Sequence, residues 1–137
     1  MKTISIDPRA NLVYASMYIK GLQEYFGNHN VTFHTTPFLN LKQTDGLEDF
    51  DHYFSFLNHQ TNKKYVVDYR DKNTLNQRAL EWSDVYAKVN LNTREEFFAK
   101  LHPTKKKKII GIGPNFGIKL YSDNVLYVLA ILNNRHK

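Results

Sequence analysis

Short apolar segments alternate with helical segments along this chain, and that alternation restricts the fold more than any other feature. The opening "KTISID" alternates polar and apolar residues, and apolar side chains then recur at helical spacing as far as Phe26. Gly27 stands where that helix should stop. The predicted order is strand, helix, three strands, helix, strand, helix, strand, helix. Strands that alternate with helices form parallel sheets covered on both faces, so we expect an α/β, Rossmann-like fold with an open, mostly parallel sheet.

Two later segments add detail to this prediction. In "SDVYAKVNL" the side chains of Val85, Ala87 and Val89 fall on one face of a strand, and those of Tyr86 and Lys88 on the other. The following "TREE" matches a capping box, in which the residue three positions after the N-cap is acidic. We therefore expect a helix that is capped by its threonine, at position 93, and that ends before the proline at position 103.

Composition excludes several kinds of site. The chain of 137 residues contains no cysteine, which rules out disulfides, thiolate metal sites and a cysteine nucleophile. Its six histidines lack the spacings of a zinc site. We predict no bound cofactor and assign no residue as a metal ligand. The N-terminus has no signal-like apolar region, and no stretch approaches the ~18 apolar residues of a membrane span. These features predict a cytoplasmic protein, which leaves open a location at the inner face of the membrane.

The basic, glycine-containing segment near the C-terminus does not match a nucleotide-binding motif. A net charge of +6 suits an anionic partner without identifying one. Gly111, Gly113 and Gly117 are spaced one residue too widely for the dinucleotide fingerprint. The four lysines at 105–108 are typical of a solvated turn. Because no aromatic residues interleave with them, we expect no nucleic-acid partner.

Three acidic residues follow the carboxyl ends of predicted strands. Asp7, Asp68 and Asp71 stand where open α/β sheets bind ligands. Carboxylates there could hold Mg²⁺ or act as a general base. A local salt bridge or a helix cap explains them equally well, so the sequence leaves these alternatives open.

Three segments are informative when taken together. They are the predicted helix "ANLVYASMYIKGLQEYFG", the strand "SDVYAKVNLN" with an Asp-Val-Tyr-x-Lys pattern, and "IGPNFGIKLYSD" with a Pro-x-Phe-Gly turn. They resemble the opening helix, an internal strand, and the closing strand and turn in the N-terminal half of a GT-B glycosyltransferase of bacterial surface-polysaccharide biosynthesis. The resemblance implies that residues 1–121 form an acceptor-side domain. It also implies that residues 122–137, which include the apolar run Val125 to Leu132, form a terminal helix that begins a connection to a second domain.

The resemblance further implies the transfer of a sugar from a nucleotide-sugar donor to an acceptor hydroxyl. Asp7 would be the base if the enzyme inverts, whereas a retaining enzyme would need no protein base. The acceptor, a saccharide or a lipid-linked saccharide, would be bound by residues following the first and fourth strands and by the closing turn: Arg9, Asn11, Tyr14, Asp68, Arg70, Asn115, Phe116 and Gly117. The expected partners are the C-terminal domain of the same chain and, peripherally, the membrane.

Two expectations distinguish the glycosyltransferase hypothesis from the alternative function. If the donor-binding domain is absent, the 137-residue chain alone should have no transferase activity. The alternative function is a stand-alone flavodoxin-like domain that binds or regulates a partner through its apolar tail, Val125 to Leu132. A natural reading frame extending ~150–250 residues further, about one domain, favours the transferase.

Overall fold

The computed structural model describes residues 3–41 and 52–113. Within these ranges the strands and α-helices follow in the order β1 (Ile4–Ile6), α1 (Leu12–Phe26), β2 (Val31–Phe33), β3 (Tyr53–Asn58), β4 (Lys63–Asp68), α2 (Gln77–Trp82), β5 (Val85–Val89), α3 (Glu96–Ala99), α4 (Pro103–Lys106) and β6 (Ile109–Ile112). Short 3₁₀ helices occupy Asn28–Asn30 and Thr36–Phe38. The predicted alternation of strands and helices is confirmed as far as β6.

The strands form one sheet in the order β2-β1-β3-β4-β5-β6. β1 is parallel to β2, and β4, β5 and β6 are mutually parallel neighbours. β3 is antiparallel to both β1 and β4, so five strands run in one direction and β3 runs in the other. This mixed, mostly parallel open sheet confirms the predicted Rossmann-like α/β class.

Two apolar layers lie on opposite faces of the sheet. Adjacent residues of a strand point to opposite faces, and accordingly Phe54 belongs to one buried cluster and Tyr53 to the other. The first cluster packs against α1 through Ala15 and Ile19. The second packs against α2 and includes Leu80. Helices therefore cover both faces, and the sheet is an interior layer.

Helix α1 has a defined start and stop. The side-chain oxygen of Asn11 accepts hydrogen bonds from the backbone N–H groups of Val13 (3.2 Å) and Tyr14 (3.3 Å). At the other end Gly27 adopts φ 88°, a conformation that residues with a side chain rarely adopt. The predicted stop at Gly27 is confirmed.

The predicted capping box is wrong. Helix α3 starts two residues later than expected, with Glu95 at the N-cap position and no side-chain capping bond. The side chain of Asn92 accepts instead from the backbone N–H of Arg94 at 3.1 Å. This local turn provides the polar contact before the helix, and the threonine is not used as a cap.

The lysine run is not a simple solvated turn. Its first two residues belong to α4, which begins at Pro103 after the end of α3. Lys105 lies 3.6 Å from the carboxylate of Glu81, and Lys108 Nζ donates to the carbonyl oxygen of Leu80 at 3.2 Å. Lysines thus bind the C-terminal end of α2, where a positive charge is favourable.

Several predictions lie outside the described residues. These are the Pro-x-Phe-Gly turn, with Asn115, Phe116 and Gly117, the boundary between 121 and 122, and the apolar segment Val125 to Leu132. Within the described ranges, the helices are too short or too polar to cross a lipid bilayer.

Candidate functional site at the carboxyl edge

The edge at which the parallel strands end, called here the carboxyl edge, gathers the polar residues of interest. The chain runs from β1 outward to β2, whereas β3 and the later strands lie on the other side of β1. Ligands of open α/β sheets bind outside the carboxyl ends of strands where the strand order changes direction in this way. The loop after β1 and the loop after β4 flank that position, with the start of β3 between them.

Asp7 follows β1 directly and is bound by Arg9. Its side chain is 2% exposed, and Oδ2 lies 2.8 Å from a terminal nitrogen of the Arg9 guanidinium. The Nε of Arg9 donates to Oδ1 at 2.9 Å, and the backbone N–H of Arg9 donates to the same oxygen at 3.1 Å. Both oxygens of Asp7 are therefore occupied within the loop.

Arg9 also connects this loop to the segment that follows β2. Its guanidinium donates to the carbonyl oxygens of Phe38 (2.8 Å) and Leu41 (3.2 Å), two residues of the buried core. A guanidinium provides five donors in a fixed plane, so one side chain can hold a carboxylate and two carbonyls together. In this structure Arg9 ties two loops to each other at the carboxyl edge.

The two other predicted residues of this segment have different environments. Asn11 is 9% exposed and its side chain caps α1. Tyr14, one turn into the helix, is 58% exposed. Of the four candidates between β1 and α1, Tyr14 presents the most accessible apolar surface.

Three tyrosine rings, Tyr14, Tyr18 and Tyr69, form a continuous aromatic surface that we call the tyrosine face. The centroids of Tyr14 and Tyr69 lie 6.2 Å apart in an edge-on arrangement, and those of Tyr18 and Tyr69 lie 6.5 Å apart with nearly parallel rings. Tyr18 donates to the carbonyl oxygen of Gly113 at 3.3 Å, which connects α1 to the end of β6. Partial burial raises the pKa of Tyr18 above its usual value.

A buried polar network joins the end of β4 to β5. The register pairs Asp68 with Lys88, and the Lys88 Nζ lies 3.6 Å from Oδ1 of Asp68. The Tyr86 hydroxyl donates a very short hydrogen bond to Oδ2 of the same carboxylate. That hydroxyl also accepts from the backbone N–H of Asn76 at 3.1 Å. The network is enclosed, since Lys88 and Tyr86 are both 0% exposed.

Burial determines the protonation behaviour of this network. It raises the pKa of Asp68 and outweighs the opposing effects of the Tyr86 hydroxyl and the Lys88 charge. It lowers the pKa of Lys88, despite the attraction of Asp68. Burial, followed by the Asp68 charge, raises the pKa of Tyr86. Each shift opposes the charged form, as expected for ionisable groups removed from water.

The loop after β4 extends from this network to the protein surface. Asp68 accepts a hydrogen bond from the backbone N–H of Arg70 at 2.9 Å, and Lys88 Nζ donates to the Arg70 carbonyl oxygen. The next residue, Asp71, accepts from the side-chain amide of Asn90 at 3.4 Å. Asn90 has a positive φ of 56°, a conformation that asparagine tolerates better than most residues. The loops after β4 and β5 are thus held side by side.

The structure brings most of the predicted residues to one edge but not into one cluster. Asp7 and Arg9 bind each other on one side of β3, and Asp68 and Arg70 lie at the end of β4 on the other. Tyr14, on α1, contacts Tyr69, which follows Asp68 in the chain and which sequence reasoning missed. Periodicity could not indicate Tyr69, because it lies in the loop after β4 and contacts a helix more than fifty positions away.

Sequence reasoning also missed the network around Lys88, although a signal for it was present. A strand between helices on both faces has no solvent-facing side, so a lysine within it requires an anionic partner. An acidic residue at the end of the neighbouring strand can be that partner, and Asp68 lies opposite Lys88 there.

In the described part of the chain, no three or more histidine, aspartate or glutamate side chains are grouped so that they could hold a metal ion.

Comparison of the sequence and structure with protein families, curated proteins and solved structures finds no match.

Proposed function

We propose that the carboxyl edge binds a saccharide, and that the chain is the acceptor-side domain of a glycosyltransferase that uses a nucleotide-sugar donor. The observation that carries this proposal is the tyrosine face, which stands beside polar loops at the carboxyl edge. Sugar rings expose C–H groups on their faces and hydroxyls at their rims. The negatively polarised faces of aromatic rings attract the C–H groups, and charged or amide side chains form hydrogen bonds with the hydroxyls.

The loop after β4 supplies hydroxyl partners next to this face. Tyr69 belongs to the aromatic surface, and Arg70 and Asp71 follow it in the chain. Asn90 lies within hydrogen-bonding distance of Asp71. A guanidinium, a carboxylate and an amide together offer donors and acceptors, which a sugar hydroxyl needs simultaneously.

The catalytic role of Asp7 stays a prediction. A general base must lie ~2.6–3.2 Å from the hydroxyl it deprotonates. Both oxygens of Asp7 already bind Arg9, and the carboxylate is almost fully buried. This environment favours a role for Asp7 in holding the acceptor loop, with any base supplied by another residue of the enzyme.

Saccharide binding is tested by saturation-transfer NMR with methyl hexopyranosides of glucose, galactose and mannose, using the 137-residue chain. We expect signal transfer to at least one glycoside, and its loss by about fivefold or more in Tyr14→Ala, since stacking area is removed. Tyr25→Ala is the matched control, because Tyr25 is 83% exposed near the other end of α1. If no glycoside binds, or if both variants bind equally, the proposal fails.

Sugar transfer is assayed with the protein that the natural reading frame encodes, using radiolabelled nucleotide sugars as donors and saccharides as acceptors. Tyr14→Ala should raise the acceptor KM and leave the KM for the donor unchanged. A change confined to the donor KM would contradict an acceptor-side role.

A further inference from the structure

Two buried charged side chains hold both polar backbone groups of a single residue, Arg70. The carboxylate of Asp68 accepts its N–H at 2.9 Å, and the ammonium of Lys88 donates to its C=O. Removing a carboxylate and an ammonium from water costs free energy that their attraction only partly offsets. Here the charged pair fixes the backbone of Arg70, which lies two residues after the end of β4.

The guanidinium of Arg70 keeps its donors available. Its side chain is half-buried, yet it forms no hydrogen bond or ion pair with residues 3–41 or 52–113. Arg9, at the same edge, uses its guanidinium for a carboxylate and two carbonyls. The contrast indicates that the backbone of Arg70 is held in place, while its guanidinium donors have no partner among the described residues.

Arg70 lies close to charged groups without forming an ion pair with them. The Asp68 carboxylate, which feels the positive charge of Arg70, has Lys88 as its ion-pair partner. Asp71 and Lys72, which follow Arg70 in the loop, are both exposed. The Arg70 side chain carries planar donors that match the geometry of a carboxylate or a phosphate.

We propose that Arg70 determines specificity by binding an anionic group, a carboxylate or a phosphate, that the saccharide carries, and that Lys88 and Asp68 are its positioning residues. This inference rests on the proposed saccharide-binding function and adds the class of sugar. The tyrosine face packs against the ring, while Arg70, adjacent in sequence to Tyr69, binds the charged substituent.

The test compares neutral and charged ligands on the same chain. The probes are methyl glucoside and methyl galactoside, the corresponding methyl uronides, and their 6-phosphates, titrated by NMR. We expect at least one charged probe to bind about tenfold more tightly than its neutral counterpart. Arg70→Gln should reduce this preference, the ratio of the neutral Kd to the charged Kd, to less than about twofold.

Lys63→Gln is the matched control. It removes the same charge from an exposed position at the start of β4, roughly 17 Å from its end at ~3.3 Å per residue. The preference should survive in this variant. A preference that falls equally in both variants would reflect net charge alone and would overturn the role of Arg70.

The remaining outcomes separate the inference from the proposed function. If neutral and charged glycosides bind equally to the unmodified chain, the inference fails and saccharide binding stands. If the preference persists in Arg70→Gln, the inference also fails. If neither class binds, the proposed function fails. A uronide preference identifies a carboxylate, and a 6-phosphate preference identifies a phosphate.

The positioning role is tested with Lys88→Met, in which the charged probe should lose most of its advantage while the neutral Kd changes less than twofold. If this variant does not fold, the double variant Asp68→Asn/Lys88→Met removes both buried charges and is measured instead. A full preference for the charged probe in the folded variant would overturn the positioning role.

Discussion

Lys88 and Asp68 face each other on adjacent parallel strands, with 3.6 Å between the ammonium nitrogen and a carboxylate oxygen and almost no exposure of either side chain. This pair lies at the boundary between the apolar core and the carboxyl edge. The same two residues therefore stabilise the core and hold the loop after β4. Changes to them and to their neighbours should alter the free energy of unfolding even when no ligand is bound.

Lys88→Met should destabilise the protein by about 3–5 kcal/mol at neutral pH, because the variant leaves the Asp68 carboxylate buried without its cation. Urea unfolding followed by Trp82 fluorescence measures the change. Lys100→Met is the control, since Lys100 and Glu96 form an ion pair that is mostly exposed and should contribute little. Equal stabilities of the two variants would show that the buried pair is not energetically important.

Tyr86→Phe should cost about 1–3 kcal/mol, because the hydroxyl that donates to Asp68 and accepts from the Asn76 N–H is lost. The same unfolding experiment applies. Tyr25→Phe removes a hydroxyl from a ring that is 83% exposed and should unfold as the unmodified protein does. A wild-type stability for Tyr86→Phe would mean that this hydroxyl is dispensable to the network.

Arg9→Ala should destabilise the protein by about 2–3 kcal/mol, since Asp7 is left buried without its partner and two carbonyls lose a donor. Chemical denaturation gives the magnitude. Hydrogen exchange should report where the change occurs, with faster exchange of the Leu41 N–H, because this N–H donates to the Phe38 carbonyl oxygen that Arg9 also binds. Arg78→Ala, at an exposed position of α2, provides the comparison. An unchanged exchange rate would argue against a connection between the two loops.

The free energy of unfolding should depend on pH in the direction that the raised pKa of Asp68 sets. Because burial raises its pKa in the folded state, the folded protein binds more protons than the unfolded chain between the unfolded pKa, ~3.9, and the raised value. The free energy of unfolding, relative to Asp68→Asn, should therefore fall as pH rises through that window. Unfolding titrations of both proteins between pH 3 and 7 measure the difference. A difference that grows with pH would indicate a lowered pKa instead.

Local sequence pattern predicted the fold class and most of the strands and helices, although it misplaced the start of α3 and did not predict α4. Apolar spacing and Gly27 located α1, and the alternation of strands with helices predicted the open, mostly parallel sheet. It placed Asp7, Asp68 and Arg70 after strands, and Tyr14 on the first helix, all near the carboxyl edge. These features depend on a few neighbouring residues, and short-range periodicity encodes them directly.

Which of those residues contact one another depends on the packing of the sheet and the helices. The antiparallel insertion of β3 separates the Asp7–Arg9 pair from Asp68, and the register of β4 against β5 places Lys88 beside Asp68. Packing of α1 over the sheet brings Tyr14 and Tyr18 to Tyr69. Such contacts join positions far apart in the chain, and their energies depend on burial and strand order. Local pattern thus accounts for most of the strands and helices and for the edge where the polar residues lie, whereas strand order and register set which residues become partners.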